Sequence, residues 1–173
     1  MRLFVSIPLN EEMKDAACGV QEAFRAAGIR GGCEPRENLH ITLAFIGEYG
    51  DPEEVMEALD GVSFSPFSVT MDRIGCFGDL WWTGYGESRE LETLAARVRR
   101  ALADAGIPFD RKKFLPHTTV LRHAEIREGG RDLPVRMEAR SMQVDRICLM
   151  RSDRGKRGSA YTEMGSVEAA DHR

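Results

Sequence analysis

Two tripeptides in this sequence set an imidazole two positions before a hydroxyl, His40-Ile41-Thr42 and His117-Thr118-Thr119. Each opens a short apolar segment, His40–Gly47 and His117–Arg122, with the composition of a strand. Residues i and i+2 of a strand share a face, so each His is presented together with its Thr. A single tripeptide of this kind is commonplace. Two of them suggest a joint site. An imidazole pair can take a proton from a nucleophile and return one to a leaving oxygen near neutral pH. Hydroxyl donors beside each ring would meet the charge that develops on phosphate oxygens. The chemistry these types fit is attack of water on a cyclic phosphodiester. The acids nearest to the two histidines, Glu37, Glu48, Asp110 and Glu125, are not adjacent to them, which argues against a carboxylate-bound two-metal site. Neither a metal nor a cofactor is expected. His123, after the second motif, and His172, in a polar tail, are read as ordinary surface histidines.

The elements needed to position these residues recur along the chain. An alternating segment at Arg2–Ile7 reads as a strand. Asn10 caps a helix with apolar stripe Met13, Ala16, Ala17, Val20, Phe24 and Ala27, which Gly28 ends. A loop over 29–39 leads into His40. Asp51-Pro52-Glu53-Glu54 starts a short helix, Gly61 closes it, and a strand follows over 67–77. The order then repeats. A strand spans 80–85, Ser88 caps a helix with stripe Leu91, Leu94, Ala95, Val98, Leu102 and Ala105, and Gly106 ends it before His117. A strand around 142–150 carries Asp145-Arg146-Ile147, as the earlier one carries Asp72-Arg73-Ile74. The offsets are 77 residues between the histidines, 78 between the helix-ending glycines and 73 between the aspartates. This spacing implies one βα(β)β plan used twice, over roughly 1–78 and 79–165, with 166–173 as a polar tail. The expected fold is α+β, with two pseudo-symmetric lobes around a central cleft, each an antiparallel sheet with flanking helices.

At 173 residues the chain suits one domain, and no apolar run is long enough to span a bilayer. The N-terminal segment reads as a strand rather than a secretory signal. The four cysteines form no C-x-x-C pair, so a reduced, cytoplasmic setting is expected. The net charge of -4 hides an asymmetry. Residues 1–86 hold 6 Lys+Arg against 14 Asp+Glu, and residues 87–173 hold 18 against 14. A locally basic surface on an acidic protein suits a polyanion held at one place. Arg111-Lys112-Lys113 is either a steering patch or a solvated loop. Because the repeat supplies its own pseudo-dimer, a monomer is expected.

The segments Asn38–Gly47 and Phe114–Arg122 resemble the two signature motifs of the 2H phosphoesterases. They are most similar to the branch of RNA 2′,3′-cyclic phosphodiesterases, also called 2′-5′ RNA ligases. The opening Arg2–Leu9 and the late Ser152…Gly158…Tyr161 resemble that branch too. The resemblance implies a bilobal fold and metal-independent opening of an RNA 2′,3′-cyclic phosphate to a 2′-phosphate, with reversible 2′-5′ ligation of RNA ends as a related reaction. It implies that His117 is the base, His40 the acid, and Thr42 and Thr119 phosphate donors. The partner it implies is RNA or an oligonucleotide with a cyclic end. A small cyclic nucleotide, an ADP-ribose cyclic phosphate or a non-catalytic RNA-end module are the alternatives. By position the resemblance also gives Phe45 as a base-stacking ring and Arg122 as a phosphate ligand. Each lies five residues after its histidine, an odd offset that simple alternation points away from the site. A bulge or strand end would be required to bring them round.

Overall fold

A computed structural model describes residues 1–126, 135–156 and 158–170; His172 lies outside them. The element order is β1 (Arg2–Pro8), α1 (Glu11–Ala26), β2 (Gly32–Cys33), β3 (His40–Glu48), α2 (Pro52–Asp60), β4 (Phe67–Phe77), β5 (Leu80–Tyr85), α3 (Arg89–Asp104), β6 (His117–Arg122), β7 (Arg140–Val144), β8 (Arg146–Gly155) and β9 (Gly158–Glu168). Local chemistry sets the helix starts. Asn10 Oδ1 accepts from Met13 N at 2.8 Å, Asp51 Oδ1 from Glu54 N at 3.2 Å, and Ser88 Oγ from Leu91 N at 3.2 Å.

The strands form two antiparallel sheets, one in the order β3-β1-β8-β9 and one in the order β2-β6-β5-β4-β7. The two orders match. Each His-x-Thr strand lies beside the first strand of its own repeat unit, and that strand has on its other side a late strand of the other unit, β8 beside β1 and β4 beside β5. So β4, which follows β3 in the chain, lies beside β5, while β8 returns to β1 with Arg2 opposite Ser152 and Ser6 opposite Cys148. Lobes and sequence halves therefore differ. The reason lies at the junction of the halves: Gly78 and Asp79 form a two-residue turn, with Gly78 at φ 62°, and a turn that short must pair the strands it joins. The helices cross over as well. From the first unit, α1 packs on β6 and β7, whereas α3, from the second, packs on β3. Phe24, fully buried, carries α1 against Trp81 of β5, with ring centroids 5.7 Å apart.

Two sequence expectations need correction here. The segment 142–150 is not one strand. It breaks at Asp145 into β7 and β8, which belong to different sheets. Nor does a tail begin at 166, because β9 runs to Glu168, Ala169 N donates to Asp145 O at 2.7 Å, and Ala170 N to Phe64 O at 2.8 Å. Polar residues on one face of an edge strand hid it from a reading that sought apolar runs.

Candidate active site between the sheets

The catalytic candidates are positioned by the start of β3 and of β6. Over six residues from each histidine the two strands have the same burial sequence, in which the second, fourth and fifth residues are buried and the sixth is exposed. Two adjacent buried residues mean that alternation slips once. The pairing shows how: Val5 faces Ala44 but Ser6 faces Thr42, and Trp81 faces Leu121 but Trp82 faces Thr119. Leu43 and Val120 are thus bulged, each three residues after its histidine. The slip turns Phe45 and Arg122 onto the face of His40 and His117. Phe45, which strict alternation would bury, is 53% exposed.

Each bulge is braced by a side chain from the helix packed on it. Arg99 Nε of α3 donates to Leu43 O at 3.1 Å, and Gln21 Nε2 of α1 donates to Val120 O at 2.9 Å. Gln21 and Arg99 each stand eleven residues after their helix caps, Asn10 and Ser88, so they are equivalents in the repeat. Gln21 also donates to Glu34 O at 2.9 Å. Neither residue stood out in the sequence, where both interrupt an apolar stripe.

A cleft of about 870 Å³ lies between the sheets, and His40, Thr42, Phe45, His117, Thr119 and Arg122 all line it. The two histidines are held alike. Nδ1 of His40 lies 2.6 Å from Asn38 O, and Nδ1 of His117 lies 2.6 Å from Leu115 O. A carbonyl only accepts, so Nδ1 carries the proton in both rings and Nε2 is left to do chemistry. His40 Nε2 lies 2.7 Å from Thr42 Oγ1. The Nε2 of His117 has no partner among the described residues. Aromatic rings back both: Tyr161 at 5.5 Å and Phe4 at 5.0 Å beside His40, Phe77 at 5.3 Å and Trp82 at 6.1 Å beside His117. Trp82 lies across Gly75 and Gly84, and a Cβ on either would collide with the indole. Burial pushes the His40 imidazolium down to about 4, aided by the nearby His117 and Arg122 charges. Burial, with Arg122, also lowers His117.

Arg122 Nε donates to Glu34 Oε2 at 2.9 Å. Glu34 is 8% exposed, so this buried carboxylate fixes the guanidinium and leaves its other nitrogens toward the cleft. Asn38 Nδ2 donates to Ser159 O at 2.7 Å and ties β9 to the segment that holds His40. Glu34 and Asn38 were missed because their partners are 88 and 121 residues away. Arg111, Lys112 and Lys113 are exposed and do not line the cleft; Arg111 sits over the Phe109 ring at 4.8 Å. His123 is on the rim, with φ 55° and Nδ1 3.8 Å from Asp79 Oδ2. Among the described residues no three His, Cys, Asp or Glu side chains are grouped as a metal site, and no helix is long and apolar enough to cross a membrane.

A family model described as the 2′-5′ RNA ligase superfamily matches residues 14–156. An RNA 2′,3′-cyclic phosphodiesterase of Archaeoglobus fulgidus is 35% identical over 130 residues, covering 70% of this chain and 72% of that protein. One of Aeropyrum pernix is 31% identical over 151 residues, covering 78% and 84%. Among solved structures, Escherichia coli LigT in apo form matches with a TM-score of 0.84 and 25% identity over 98% of both chains.

Proposed function

We infer function from membership and site together: the chain belongs to the 2′-5′ RNA ligase superfamily, and it opens 2′,3′-cyclic phosphates at RNA ends. The observation that carries this reading is the pair of identically bulged His-x-Thr strands on one cleft, each imidazole locked as the Nδ1–H tautomer. His117 is the base. Its Nε2 is unpartnered among the described residues and suits the ring that meets water. It takes a proton as the water oxygen bonds to phosphorus. The P–O3′ bond breaks, and His40 Nε2 gives its proton to O3′, leaving a 2′-phosphate and a 3′-hydroxyl. When His40 is protonated, its Nε2–H donates, and the Thr42 hydroxyl is released to donate to a phosphate oxygen. Thr119 and Arg122 meet the same developing charge, and Phe45 offers its ring to the terminal base. Each proton removed is matched by one delivered, and the cycle closes when His117 releases its proton to solvent and His40 takes one up. With a 5′-hydroxyl in place of water, the same steps give a 2′-5′ linkage. In this reading the protein acts as a cytoplasmic monomer, with one chain supplying both sides of the cleft.

Product mapping on an oligonucleotide ending in a 2′,3′-cyclic phosphate, with chelator present, tests the reading. A 2′-phosphate is expected, with activity lost in His40→Ala and His117→Ala. A 3′-phosphate would reverse the assignment of the leaving oxygen, and an end held unchanged for hours would mark a binding module. Scattering should give a mass near 19.4 kDa.

A further inference from the structure

The cleft continues well past the histidines. Along β1 and β3 the cross-strand levels run from Pro8–His40 through Ser6–Thr42 and Phe4–Phe45 to Arg2–Glu48. Groups from the far levels lean back toward the histidines: the rings of Phe4 and Tyr161 lie 5.0 and 5.5 Å from that of His40, and Ser159 O accepts from Asn38 Nδ2 at 2.7 Å. Arg2 faces Ser152 on β8, and Arg154, two residues further, keeps the same face. Across β8 and β9, Ser152 pairs with Tyr161 and Arg154 with Ser159. All five residues line the cleft. Arg2 and Arg154 are exposed and have no ion pair among the described residues. The carboxylates nearest to them in the sheet are engaged elsewhere: Asp153 Oδ2 with Arg151 Nε at 3.1 Å, and Glu48 Oε2 with the Met1 amine at 3.1 Å. Two guanidiniums with no ion pair among the described residues thus line the cleft of a protein of net charge -4.

We propose that Arg2 and Arg154, with Ser152 and Ser159, form a backbone subsite for the phosphates that lie 5′ of the cyclic end, so that the substrate is an oligonucleotide rather than a mononucleotide. This rests on the functional reading above, which places the reacting phosphate at the histidines. A lone 2′,3′-cyclic nucleotide carries only the reacting phosphate, which the histidines hold, so only a longer strand can offer these guanidiniums a second one. Phosphates from a single strand suit these donors, because arginine and hydroxyl groups contact the backbone without reading the base.

The test compares 2′,3′-cyclic AMP with cyclic-ended oligonucleotides of two, four and six residues. For the wild-type protein, kcat/KM should rise with length and then level off. Arg2→Ala and Arg154→Ala should each lower kcat/KM on the longer oligonucleotides about 5- to 10-fold while leaving cyclic AMP within two-fold, and Arg154→Glu should do more. The slope of log KM against log salt on the oligonucleotide should shrink by about 0.7 for each arginine removed. Equal kcat/KM for all lengths in the wild-type protein overturns the subsite, even if a variant folds poorly. So does an equal loss on cyclic AMP and oligonucleotide in a variant whose thermal transition is unchanged. Failure of the wild-type protein to open any cyclic end would instead remove the functional reading beneath it.

Discussion

The two histidines proposed as acid and base start with both rings depressed below the ordinary imidazole range, His40 to about 4. Near neutrality both are then uncharged in the free protein, and under the proposed mechanism His40 takes up the proton it delivers from solvent as the substrate binds. The phosphate is what recruits it. An anion against the two Nε2 atoms favours imidazolium and raises both values. The kcat/KM profile, which reports the free protein, should therefore peak on the acid side of pH 6.5, and the kcat profile, which reports the complex, should be displaced to higher pH. Coincident profiles would show that bound phosphate leaves the histidines unmoved. Replacing either histidine with alanine should cost about 10²–10⁴ in kcat. Thr119→Ala should cost about 10² in kcat with little change in KM, since a donor aimed at developing charge acts mainly in the transition state. At this scale the sequence was readable for His40, Thr42, His117 and Thr119, because type and i, i+2 parity are local properties. It was ambiguous for Phe45 and Arg122, whose facing depends on a bulge that no residue type announces.

The bulges join residue to element. A bulge leaves a carbonyl outside the regular ladder, and here the cross-packed helices supply the donors, Arg99 to Leu43 O and Gln21 to Val120 O. Gln21→Leu keeps the volume but removes both of its donations, to Val120 O and to Glu34 O. Glu34 O loses its partner, Val120 O keeps only the donation from Glu34 N at 3.0 Å, and the Glu34 that holds Arg122 is left with one backbone tie of two. The expected cost is about 1–3 kcal/mol of stability. Because Gln21 braces the Val120 bulge that turns Arg122 onto the site, and Arg122 is proposed to meet developing charge, kcat should fall more than KM rises. Urea denaturation and steady-state kinetics on the same variant check this. A stability loss with an unchanged kcat would make Gln21 a core residue only. The helices were legible from caps and stripes, since Asn10, Asp51 and Ser88 cap where their types suggested. What they brace was not, because Gln21 and Val120 are 99 residues apart.

Over the whole molecule, the repeat was visible in the spacing of histidines, glycines and aspartates, but the exchange between its units was not. Periodicity tells a strand which face to bury and says nothing about its neighbour. The one local clue was the two-residue turn at Gly78-Asp79, which pairs β4 with β5. The exchange has a consequence for folding. In residues 1–78 alone β1 lacks β8, and the ladder from Arg2–Ser152 to Ser6–Cys148 is left open along a strand whose Leu3, Val5 and Ile7 are buried. In residues 79–173 alone β5 lacks β4, and β6 lacks the α1 helix that covers it. Each fragment would expose backbone groups and apolar surface that no part of itself can satisfy. We propose, accordingly, that the chain is one cooperative domain. The two fragments made separately should show no cooperative thermal transition and dispersed amide resonances in neither, the mixture should regain part of the cyclic-phosphate activity, and the intact chain should unfold in a single step. A cooperative transition in either fragment by itself would mean that its sheet closes without the strand it borrows, and the lobes would then be independent units.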